Sequence, residues 1–79
     1  MWTESMRKGG EHLQITLKAA RVNAGITQAV AAEAVNMTTR TVASWENGKT
    51  LPDIVSFKTL CKLYGVSMDA VSFLPIEST

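Results

Sequence analysis

Thr38-Thr39-Arg40-Thr41-Val42-Ala43-Ser44-Trp45-Glu46-Asn47-Gly48-Lys49 has the pattern of a short helix with one apolar side and one polar side. Stepping about 100° per residue from Thr39, Val42 and Trp45 fall together on one side, which is the side to bury. Arg40, Ala43 and Ser44 fall on the opposite side, flanked by Thr39 and Thr41. The outer face is therefore polar, small and nearly uncharged, with one arginine. Gly48 stops the helix. Such a helix can sit deep in a groove.

Upstream, Thr27-Gln28 precede Ala29-Val30-Ala31-Ala32-Glu33-Ala34-Val35, an alanine-rich run with strong helix propensity. Asn36-Met37 separate that run from Thr38, and asparagine tolerates the left-handed conformation that a tight interhelical turn demands. Two helices of about two turns each, joined so closely, form a helix-turn-helix, whose second helix enters the DNA major groove.

The rest of the chain supplies the frame. Residues 1–10 read as a flexible arm that carries Arg7-Lys8 and ends in Gly9-Gly10. Residues 11–75 form the helix-turn-helix domain, and 76–79 a C-terminal tail. A first helix is predicted from Glu11 to Ala24, with Leu13, Leu17, Ala20 and Ala24 at three- and four-residue steps and Gly25 as its left-handed cap. The second spans about Gln28 to Val35 and the third about Thr39 to Glu46. A fourth runs from Asp53 to Tyr64, with Ile54, Phe57, Leu60, Cys61 and Tyr64 on one stripe, and Gly65 stops it. Ser67 is read as the cap of a short fifth helix reaching Phe73, with Asp69 in its first turn.

The chain resembles the Cro and phage-repressor family of helix-turn-helix proteins from about Leu13 to Leu74. The signposts are Arg21 with Gly25, Thr27-Gln28-Ala29, Val42 through Lys49, Pro52, and Leu63-Tyr64-Gly65-Val66-Ser67. The resemblance implies an all-α, five-helix, lambda-repressor-like domain whose helices 2 and 3 form the helix-turn-helix. It further implies base contacts from Thr39, Arg40, Ala43 and Ser44. Phosphate contacts would come from Thr27, Gln28, Thr41, Asn47 and Lys49. Arg21 and Glu46 are expected to form a structural salt bridge between the first helix and the end of the third.

Each role has a plainer alternative. Arg40 can donate two hydrogen bonds to guanine O6 and N7, or touch only phosphate as a solvated arginine. Ala43 can pack on a thymine methyl, and the hydroxyls of Thr39 and Ser44 can read either donor or acceptor. These side chains are shorter than the glutamines common in the family, which moves specificity toward DNA shape. Thr27 is the expected N-cap of the second helix, and a cap alone would also explain it. Two departures concern packing. Ala31 stands where the family usually has leucine, with Trp45 expected to fill the space, and Val30 becomes an exposed apolar spot. Ala70 and Val71 are smaller than the family's usual residues, so Phe73, Leu74 and Ile76 are candidates either for dimerisation or for completing the core.

Length and composition agree with a small aliphatic helical domain. Seventy-nine residues, 46% of them apolar and 6% aromatic, allow one core only just large enough to fold unaided. A single cysteine, Cys61, rules out an internal disulfide and fits a reducing cytoplasm. Met1-Trp2-Thr3-Glu4 does not read as a signal peptide, and no run of about 18 apolar residues occurs. The net charge of +1 would not by itself point to nucleic acid, so affinity has to rest on local placement of a few cations.

No catalytic or metal-binding pattern emerges, and no cofactor or small-molecule substrate is expected. His12 reads as a surface residue, Cys61 as a small core filler, and Met1, Met6, Met37 and Met68 are dispersed. The expected function is a sequence-specific, double-stranded-DNA-binding regulator, a repressor of phage or mobile-element type binding a palindromic operator as a homodimer. It would be either a small regulator of the Cro sort or a detached N-terminal domain. The competing reading is an antitoxin-like or modulator protein of the same fold that grips another regulatory protein.

Overall fold

Thr16, Thr27, Thr38 and Asp53 each sit at an extended backbone position and open a helix. In the computed structural model, which describes residues 14–73, they precede α1 (Leu17–Asn23), α2 (Gln28–Ala34), α3 (Thr39–Glu46) and α4 (Ile54–Tyr64). Each side chain accepts the backbone N–H three residues on. Ala19 donates to Thr16 Oγ1 at 3.0 Å, Val30 to Thr27 Oγ1 at 3.1 Å, Thr41 to Thr38 Oγ1 at 3.2 Å and Ser56 to Asp53 Oδ2 at 3.1 Å. Each cap satisfies one of the orphan donors at a helix start. The hydrogen bonds from Ser56 also hold the Asp53 carboxyl below its ordinary value of 3.8.

Left-handed residues punctuate the helices at the other end. Gly25 (φ 73°) follows α1 and Gly65 (φ 76°) ends α4. Asn36 (φ 59°) takes the same conformation in the α2–α3 turn, where asparagine is one of the few residues that visits it readily. Met37 N–H then closes back on Ala32 carbonyl oxygen at 2.9 Å, which turns the chain sharply into Thr38.

Two expectations fail, both near the chain ends. Ile15–Thr16, predicted as helix, are extended (β1) and pair in parallel with Val71–Ser72 (β2), in the register Ile15↔Val71 and Thr16↔Ser72. The first helix therefore begins only at Leu17, because Thr16 is spent as its cap. The predicted fifth helix is a single 3-10 turn, Met68–Ala70, that gives way to β2, and Ser67 makes no side-chain cap. β-branched Ile15, Thr16 and Val71 suit a pleated pair better than a helix. Four α-helices thus make up the described residues, in place of five. Glu11, His12, Leu13, Leu74, Pro75, the arm and the tail lie outside them.

The core gathers Leu17, Ala20, Ala31, Ala32, Val42, Trp45, Leu60, Cys61, Tyr64 and Val71, with Ala31, Val42 and Leu60 at 0% exposure. Val42 and Trp45 point inward as the spacing predicted. Ala24 and Ile54, both placed on apolar stripes, are exposed. Ala24 is already the C-cap of α1, and Ile54, the first residue of α4, is 65% exposed. Phe73 is half-buried and stacks on Phe57 with ring centroids 5.0 Å apart and planes tilted by 54°, so it completes the monomer core. Burial raises the Cys61 thiol and pushes Tyr64 up to about 12, with the Glu46 charge adding to the second effect.

One polar network crosses this core. Arg21 Nε donates to Glu46 Oε2 at 2.7 Å and Nη2 to Oε1 at 3.4 Å, while Nη1 donates to the Ile26 carbonyl at 2.8 Å. Gln28 Nε2 donates to Glu46 Oε1 at 2.9 Å. The Glu46 and Arg21 side chains are only 2% and 11% exposed. The network joins α1, the α1–α2 turn, the start of α2 and the last turn of α3.

Two substitutions test this account. Arg21→Ala strands a buried carboxylate, so a thermal melt should show a loss of about 3–5 kcal/mol, and an unchanged melting temperature would contradict it. Ala31→Leu, which restores the bulk common in the family, should cost about 1–3 kcal/mol by overpacking a position that is already at 0% exposure in the core. A stabilised variant would show that a void was present.

Candidate nucleic-acid interface

α3 buries Val42 and Trp45 and so turns its other side outward. Thr39 and Arg40 are exposed, and Thr41, Ala43 and Ser44 are half-exposed. Past the helix, the Asn47 cap and Lys49 are exposed as well. Arg40, Ala43, Ser44, Asn47 and Lys49 together line one open hollow.

The electrostatics of this hollow differ from those of the chain as a whole. Its lining contains two cations and no carboxylate. Glu46, the one acid of α3, is turned inward and bound by Arg21 and Gln28. A face that would otherwise mix signs is left positive. Ala43 contributes only a methyl group to the lining, so a ligand edge can approach the helix backbone there.

The hydroxyls are partly committed. Ser44 Oγ and Thr50 Oγ1 share a hydrogen bond of 2.9 Å. One of the two must donate, which leaves the pair with a single spare O–H and free acceptor positions. Thr41 Oγ1 lies 3.1 Å from Thr38 Oγ1 in the same kind of pair. Thr50 and Thr38 are the participants that the sequence reading missed. Thr38 had a signal, since it directly precedes the helical run as a cap should. Thr50 had none, because only the folded loop brings it back to Ser44.

The remaining expected residues stand apart from the hollow. Thr27 and Gln28 open α2, and Thr39 and Thr41 lie on the first turn of α3; none of the four lines it. Gln28 spends one amide N–H on Glu46 and keeps a second for an outside acceptor. Arg21 and Glu46 are ion-paired beneath the face and not on it.

The arrangement can do a defined set of things. It presents a planar five-donor guanidinium, an ammonium, a carboxamide and a hydroxyl pair on the outside of a short, rigidly held helix. These are donors for phosphate oxygens and base-edge acceptors. No helix among the described residues is long and apolar enough to cross a membrane.

Comparison with curated proteins gave no match, and neither did comparison with solved structures. A helix-turn-helix family model matches residues 17–71. That span runs from the first residue of α1 to β2 and takes in the whole α2–α3 unit with its outward face. The chain thus belongs to the Cro and phage-repressor type of helix-turn-helix DNA-binding regulators.

Proposed function

We propose that this regulator is a sequence-specific repressor of phage or mobile-element type, binding a roughly palindromic operator as a homodimer with α3 of each copy in successive major grooves. Repression follows from covering promoter DNA, without catalysis, cofactor or effector. The observation that carries this reading is the outward face of α3, where Arg40 and Lys49 stand over a lining without a carboxylate while Glu46 is held inward. Arg40 reads a base edge, with Thr39, Ala43 and Ser44 beside it. Asn47, Lys49, Thr41, Thr27 and the spare amide N–H of Gln28 meet the backbone.

A second reading, in which the fold grips another regulatory protein, draws on the net charge of +1 and on Val30, which is 47% exposed on α2. The two readings part on Arg40. As a base contact it is worth about 1–3 kcal/mol of discrimination, so Arg40→Ala should flatten selection among DNA sequences while leaving the melting temperature of this exposed position unchanged.

In-vitro selection from random duplex DNA, run on native chain and variant, is the direct measurement. Two related half-sites about one turn apart are expected for the native chain. Salt gives an independent check, because affinity should fall with a log–log slope of about −0.9 per neutralised phosphate. No enrichment by a folded native chain would sink the operator reading in favour of a protein partner.

A further inference from the structure

The loop after α3 is fastened back onto that helix at a single residue. Gly48 takes the left-handed conformation (φ 77°) and turns the chain, and the Lys49 N–H donates to the Ser44 carbonyl at 3.0 Å. Thr50, next in the chain, sets its Oγ1 2.9 Å from Ser44 Oγ. Ser44 thus holds the loop by both its main chain and its side chain. A hydroxyl inside a helix commonly gives its proton to a carbonyl one turn back, as Thr59 does to the Val55 carbonyl at 2.9 Å in α4. Ser44 reaches sideways to Thr50 instead, while lining the hollow with Arg40, Ala43, Asn47 and Lys49. Thr50 is exposed, so the pair belongs to the outward face and not to the core.

We propose that Thr50 is a positioning residue that decides which base edge Ser44 reads, by fixing the direction of the proton between the two hydroxyls. The proposal rests on the operator reading, which puts α3 in the major groove. Each hydroxyl has one proton and also accepts. Thr50 directly follows Lys49, the cation assigned to the DNA backbone, and phosphate oxygens only accept. Thr50 therefore spends its proton on phosphate, and Ser44 completes the 2.9 Å bond by donating to Thr50 Oγ1. Toward the base, Ser44 is left with lone pairs alone. In the major groove these match the adenine N6 and cytosine N4 amino groups, and not the acceptor edges of guanine and thymine. A chain of hydrogen bonds then runs from base amino group through Ser44 and Thr50 to phosphate, each bond polarising the next. Without the Thr50 hydroxyl, Ser44 regains a free proton and takes either kind of edge.

The test is in-vitro selection with the native chain, Ser44→Ala, Thr50→Val and Thr50→Ser, followed by affinities on the selected duplex. Ser44→Ala should erase the preference at one position of each half-site, which locates the base that Ser44 faces. Deleting the exocyclic amino group of that base should weaken native binding roughly five- to tenfold and leave Ser44→Ala binding unchanged. Thr50→Val, close to threonine in shape, should tolerate the reversed base pair at that same position. Thr50→Ser, which keeps the hydroxyl, should restore the native preference. Both Thr50 variants should melt with the native chain, because the position is exposed.

Thr50→Val that discriminates as the native chain does overturns the proposal. So does a Thr50→Val that weakens every sequence equally, the mark of a residue that only touches phosphate or shapes the loop. Native binding indifferent to the deleted amino group, or a native motif kept by Ser44→Ala, overturns it as well. Each of these results leaves the native motif, and with it the operator reading, standing. A native chain that selects no motif removes both together, so the two failures are distinguishable.

Discussion

The Glu46 carboxylate lies almost wholly inside the fold, where an unanswered charge costs several kcal/mol, and the path of the chain around it follows from how it is answered. Arg21 reaches it from α1 and Gln28 from the first position of α2. The third arm of the guanidinium holds the Ile26 carbonyl between those two helices. A polar group of this kind is a poor source of net stability, but it is demanding about geometry. In the observed docking of α3 against α1 and α2 the partners come within hydrogen-bond distance, at 2.7 Å for Arg21 Nε and 2.9 Å for Gln28 Nε2, and a shift of α3 would break those bonds. The apolar core alone, rich in alanine, would tolerate neighbouring arrangements more readily.

That constraint also works through size. Ala20, Ala31 and Ala32 line the places where helices meet, and small residues let backbones approach. Trp45, from the same helix as Glu46, then supplies bulk that the alanines lack. α3 is thus held by a large apolar group and an ion-paired one in consecutive positions of its last turn, both pointing inward. Its first turn is fixed separately, by the Thr38 cap and the Asn36 turn. Pinned at both ends, α3 can present small side chains outward without depending on them for its own position.

The sequence made much of this legible. The 3.6-residue repeat in Val42 and Trp45, the threonine caps and the glycine stops are local signals, and α2, α3 and α4 form within a residue or two of where those signals place them. Leu13 and Ala24 extended the apparent repeat of the first helix, yet Thr16 starts it later, because the β1–β2 pairing joins residues more than fifty apart. No local pattern carries that pairing. Ile54 misled for a related reason, since helical periodicity assigns a face without saying whether anything packs against it. The hydroxyl pair of Ser44 and Thr50 is likewise a product of loop closure and was invisible in the residues themselves.

Net charge was the weakest guide, and the structure gives the reason. Formal charge adds Glu46 and Arg21 as equals with Arg40 and Lys49, although the first two cancel under the surface and the second two face outward. A chain at +1 can therefore carry a locally positive face, provided its acids are held elsewhere. Burying Glu46 has two consequences at once: it orders α3, and it removes from that helix the one group that would repel a phosphate. Removing Arg21 would undo both together. A neutral replacement at Glu46 itself would keep the face positive while giving up the order, so the two roles of this pair are separable in principle from the Glu46 side alone.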